Sequence, residues 1–70
     1  MRDFEIEKNL AIKAMNYLES VTGKMMSEMN PALEGEVWAC IDAKNEKELR
    51  RLRFNLEQMA DDHNFDGRGE

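Results

Sequence analysis

A single cysteine, Cys40, rules out a disulfide within the chain, and a single histidine, His63, leaves too few soft ligands for a tetrahedral zinc site. No apolar run approaches the roughly 18 residues that a membrane-spanning helix needs. The opening MRDFEIEKN alternates acids with apolar residues, unlike a secretory leader. No glycine-rich loop is present to cradle a phosphate, and no Ser/His/Asp set suggests nucleophilic catalysis. Cys40, flanked by apolar residues, reads as a buried filler rather than a nucleophile. The absences point to a protein that is not an enzyme, binds no membrane and needs no cofactor. A free thiol fits a reducing cytoplasm.

Seventy residues make one domain, and a chain of that size buries only about 60% of the surface its unfolded form exposes. Such domains usually add disulfides, a metal or a second subunit to cores that alone rarely give more than about 3–5 kcal/mol. With the first two set aside, self-association remains, and a homodimer is expected. The net charge of −5 argues against general nucleic-acid affinity. It is unevenly spread, for residues 1–30 carry −1, 31–44 carry −2, 45–60 carry +1 and 61–70 carry −3.

The one non-negative segment, NEKELRRLRFNLEQMA, is also the clearest helix. Asn45 and Glu48 form a capping box, and Leu49, Leu52, Leu56 and Met59 recur at three- and four-residue steps within about 80° of arc. Upstream, Asp3 is placed to cap a first helix with Glu5 and Glu7 in its opening turn. There Ile6, Leu10, Ala14, Tyr17, Val21 and Met25 form one stripe, widened by Ala11, Met15, Leu18, Met26 and Met29 to about 200° of apolar arc. So wide an arc calls for two partners, which suggests the centre of a bundle or a subunit interface, with Tyr17, Leu18 or Met25 at the contact. Gly23 either ends this helix as its C′ residue or is tolerated within a helix reaching Met29. Asn30-Pro31 starts the next one, Asn as cap and Pro in the first turn.

Residues 32–44 are ambiguous. A helix gathers Leu33, Val37, Trp38, Cys40 and Ile41 on one side, whereas a strand over 36–43 leaves Trp38 and Cys40 outside and finds no partner strand, so helix is preferred. The fold class is therefore all-α, a helical hairpin or three short helices over residues 1–62, assembling as a homodimeric bundle. The alternative is α+β with that short strand. Residues 63–70 read as a flexible acidic tail. Within it Asp62, Asn64, Asp66 and Gly67 match the first half of an EF-hand loop, but no twelfth-position Glu follows, and an acidic turn after a helix is the simpler reading. His63 reads as a helix-end cation, and the six methionines as adaptable packing.

Phe54 stands about 180° from the leucine stripe, among Lys47, Arg50 and Arg51 with Arg53 at the margin. An aromatic among cations on that face is either a second core face, an anchor for a protein partner gripped by the arginines, or a stacking group for a nucleic acid. Trp38 reads first as a core residue, with the interface as its alternative. The functional expectation is a small interaction or regulatory protein that binds a protein partner through Phe54, Arg50, Arg51, Lys47 and Trp38. The alternative is a nucleic-acid-binding regulator using the same basic and aromatic face.

Overall fold

The computed structural model describes residues 2–65, whose regular elements are all helical: α1 (Arg2–Thr22), α2 (Met26–Met29), α3 (Pro31–Ala43) and α4 (Glu46–Asp61). The strand alternative for 36–43 is overturned, since those residues lie inside α3. Local chemistry explains it. Pro31 occupies the first turn, and the Asn30 side chain accepts from the Leu33 N–H at 3.2 Å. No strand stands among the described residues to pair with an extended segment.

Helix α3 stops at Lys44, which adopts a left-handed conformation with φ 55°. The Lys44 N–H donates to the Ile41 carbonyl and the Asn45 N–H to the Cys40 carbonyl at 2.9 Å, the paired bonds of a Schellman end. Asn45 then opens α4, its side chain accepting from the Glu48 N–H at 3.3 Å. Only half of the expected capping box forms. The Asn45 N–H is already committed to α3, and the Glu48 carboxylate turns to Arg51.

At the other end of the chain α1 already includes Asp3, which lies in the first turn instead of capping it. Gly23 (φ 71°) ends α1, its N–H donating to the Glu19 carbonyl at 3.0 Å. The helix therefore does not run on to Met29. The one-turn α2 follows, with the Met26 N–H donating to the Glu19 carboxylate at 3.0 Å and the Met25 N–H to that of Glu28 at 3.2 Å.

Helix α4 is the centre of the molecule, packing against both α1 and α3. Glu7 meets Arg50 and Arg53 while Tyr17 meets His63, so α1 runs parallel to α4. Asn30 and Leu33 share a groove with Met59 and Asp62, so α3 runs antiparallel to it. The result is a slab of 32 × 25 × 14 Å. Of the two positions expected for the first helix, the centre of the bundle is taken by α4 instead. The buried row of α1 is Phe4, Glu7, Ala11, Ala14 and Leu18, whereas Ile6, Val21 and Met25 of the expected stripe are exposed. The small Ala11 and Ala14 let α4 approach closely, which selects that row over the bulkier one beside it.

The packed structure also extends past residue 62. Asn64 is left-handed (φ 63°), its N–H donates to the Asp61 carbonyl, and the Phe65 N–H donates to the Ala60 carbonyl at 3.2 Å. This second Schellman end aims Phe65 inward, where it is buried with its ring centroid 4.7 Å from that of Tyr17. The Tyr17 hydroxyl donates to the His63 carbonyl and ties the turn to α1. Of the acidic half-loop, Asp62 and Asn64 belong to this cap, whereas Asp66 and Gly67, with the rest of the expected tail, lie outside the described residues.

Candidate functional site

Phe54 is 47% exposed, on the side of α4 turned away from buried Leu49 and Leu56. It is therefore not a second core face. The Arg53 guanidinium lies 4.6 Å from its ring centroid, within cation–π range. Arg53 itself is buried. Its Nε donates to the Glu7 carboxylate and its Nη1 to that of Glu57 at 2.9 Å, and both carboxylates are buried as well. Burial works against the charge on Arg53, but the hydrogen bonds it donates to Glu7 and Glu57 outweigh it and hold the guanidinium above its ordinary pKa. The cation under Phe54 is thus permanent and fixed.

The exposed arginines are engaged too. Arg50 donates through Nε to Glu7 at 3.1 Å and through Nη2 to Glu46 at 3.0 Å, which continues a chain of alternating charge from Glu57 through Arg53, Glu7 and Arg50 to Glu46. Arg51 pairs with Glu48. Lys47 is exposed and forms no ion pair with any described residue. Among the cations singled out in sequence, it alone stands free, on the Phe54 side of α4 but two turns away.

Trp38 is 46% exposed on α3, whose buried residues are Leu33, Val37 and Cys40, so the expectation that it belongs to the core is overturned. Tyr17 and Phe65 are the one ring pair among the described residues, so Trp38 and Phe54 do not stack on one another. Of the residues expected at a subunit contact, Met25 is exposed and Tyr17 is partly covered by Phe65. Leu18, 2% exposed, lies in the core of the single chain and offers no surface. It falls on the same helical row as Ala11 and Ala14, which faces α4.

Cys40 is buried, and desolvation first, then the negative charges of Glu48 and Glu36, push its thiol above the ordinary value, so it stays protonated at neutral pH. A groove of about 700 Å³ runs between α3 and the end of α4, floored by Leu33 and Met59 and rimmed by Glu36, Asp61 and Asp62. It is wide open. No helix among the described residues is long and apolar enough to cross a membrane.

The sequence reading missed the Glu7–Arg53–Glu57 cluster, although a signal was present. Glu7 stands on the 4, 7, 11, 14, 18 row of α1, where its neighbours are apolar. A carboxylate on such a row requires a cation across the interface, and Arg53 with Glu57 four residues on supplies it. The arrangement defines a class, a three-helix slab with a one-turn connector and an exposed aromatic braced by a buried ion cluster. No family model matches this chain, and neither the curated proteins nor the solved structures hold a match to it.

Proposed function

We propose that the chain is a small non-enzymatic interaction module that docks a protein partner on the Phe54 face of α4. The observation that supports this reading is the bracing of Phe54. An exposed aromatic normally loses rotamer freedom when a partner closes on it, and here a fixed guanidinium has already limited that freedom. Lys47 supplies an exposed cation two turns away on the same side of α4, and Trp38 a second exposed aromatic on the neighbouring helix. The nucleic-acid reading is disfavoured by the same geometry. Phosphates would have to displace Glu46, Glu7 and Glu48 from Arg50 and Arg51, against a net charge of −5.

Capture from the source cell with wild type and Phe54→Ala side by side tests the proposal. A partner retained by wild type and lost by a variant that stays folded, its melting temperature lowered only by the few degrees that about 1 kcal/mol costs, supports it. Equal retention by both refutes it. Titration with duplex and hairpin RNA at low salt separates the two classes, because a nucleic-acid binder shows a steep salt slope and a protein-docking module shows almost no affinity.

A further inference from the structure

Helix α1 carries two apolar rows, of which the described residues bury one and leave the other partly exposed. Phe4, Ala11, Ala14 and Leu18 face α4. The flanking row Ile6, Leu10, Tyr17 and Val21 falls within about 60° of arc. Ile6 is 52% and Val21 43% exposed, and Leu10 and Tyr17 are partly covered. The row is about 22 Å long at 1.5 Å per residue.

Its spacing reads the same in both directions, with steps of four, seven and four residues centred between Lys13 and Ala14. We propose that a second copy of this chain covers the row, the two α1 helices lying antiparallel about a two-fold axis at that centre. In this register Ile6 opposes Val21 of the second copy and Leu10 opposes its Tyr17, each contact occurring twice, as an isologous interface requires.

The charges select the direction. Antiparallel pairing brings Asp3 to the C-terminal end of the second copy's α1, where Lys24 follows just beyond the helix, and both residues are exposed, so opposite signs meet at both ends. A parallel pair would set Asp3 against Asp3, Lys13 against Lys13 and Lys24 against Lys24. Only Lys13 meets its own kind in the antiparallel arrangement, across the axis. One helical row buries less than the roughly 800 Å² per partner of a standard interface, so the dimer is weak and concentration-dependent. The inference rests on α1 alone and is independent of the docking role of Phe54.

Sedimentation equilibrium and cysteine cross-linking test it together. The mass of the wild type rises from monomer towards dimer between about 10 μM and 1 mM, the range of weak interfaces. Ile6→Glu with Val21→Glu stays monomeric while its circular dichroism is unchanged, and Lys13→Leu moves the transition to concentrations at least about threefold lower by removing the like-charge contact. In a Cys40→Ala background, a mixture of Ile6→Cys and Val21→Cys chains cross-links on mild oxidation, whereas either variant alone does not. A wild type that remains monomeric to about 1 mM overturns the proposal. So does Ile6→Cys cross-linking to itself as readily as to Val21→Cys, because the antiparallel register holds the two copies of residue 6 about 22 Å apart.

Discussion

Glu7 and Arg53, 46 residues apart in sequence, join side chain to side chain across the α1–α4 interface with both groups buried. A buried ion pair adds little net stability over an apolar pair of the same shape, but removing one partner strands the other. Here one guanidinium serves two buried carboxylates, so the consequence of losing it is lopsided.

Arg53→Met is expected to cost about 3 kcal/mol, because two buried carboxylates lose the cation they share and Glu7 keeps only the half-exposed Arg50. Replacing all three together, Glu7→Leu, Arg53→Met and Glu57→Leu, is expected to be neutral or stabilising by about 1–4 kcal/mol. Urea denaturation of the two variants checks this. A single variant that loses less than about 1 kcal/mol would show that the cluster is not the clasp between α1 and α4.

Two phenylalanines should respond differently to truncation. Phe65 is buried against Tyr17, and Phe65→Ala is expected to lose about 3 kcal/mol or more. Phe54→Ala gives up a half-exposed ring and its cation–π contact, about 1 kcal/mol. Thermal melts of both, recorded side by side, decide the order.

Lys44 holds a left-handed conformation without being glycine. Lys44→Gly is expected to stabilise the chain by about 0.5–1 kcal/mol, since the strain relieved in the fold exceeds the extra freedom given to the unfolded chain. A melting temperature lower than that of the wild type would contradict this.

The Cys40 thiol titrates above its ordinary 9.0, so the fold keeps a proton that the unfolded chain gives up. Its contribution is full below the unfolded value and is lost as the pH rises through the folded one. Stability should therefore decline above about pH 9 more steeply in the wild type than in Cys40→Ala. Alkylation of Cys40 at neutral pH should be slower than that of a model thiol, and a faster rate would mean that the thiol is neither buried nor protonated.

The starts of α3 and α4 and the whole of α4 were legible because their signals are local, whereas the body of α3 fitted a strand pattern as well. Asn30-Pro31 and Asn45 mark the starts, and Leu49, Leu52 and Leu56 keep one phase. The neighbours of α1 were not legible. Its apolar arc contains two overlapping rows, and hydrophobicity alone favours the bulkier Ile6–Val21 row. Close approach favours the row holding Ala11 and Ala14, which becomes evident only once α4 lies beside it. The braced aromatic was half legible. Phe54 stood out by its phase, but Arg53 had the composition of a solvated residue, and its burial depends on Glu7 at the far end of the chain. Phe65 was obscured by the acids around it, although an asparagine able to turn left-handed before an aromatic is a recognisable helix end.

Asn45 belongs to two helices at once. Its N–H completes the end of α3 on Cys40, and its side chain begins α4 on Glu48. Fraying at one of these ends therefore releases a bond that the other needs, and the α3–α4 hairpin opens as one cooperative unit. In native-state hydrogen exchange the Asn45 and Glu48 amides should share one opening free energy, above that of the solvent-exposed turn at Gly23. A single residue here sets the local melting behaviour of nearly half the chain.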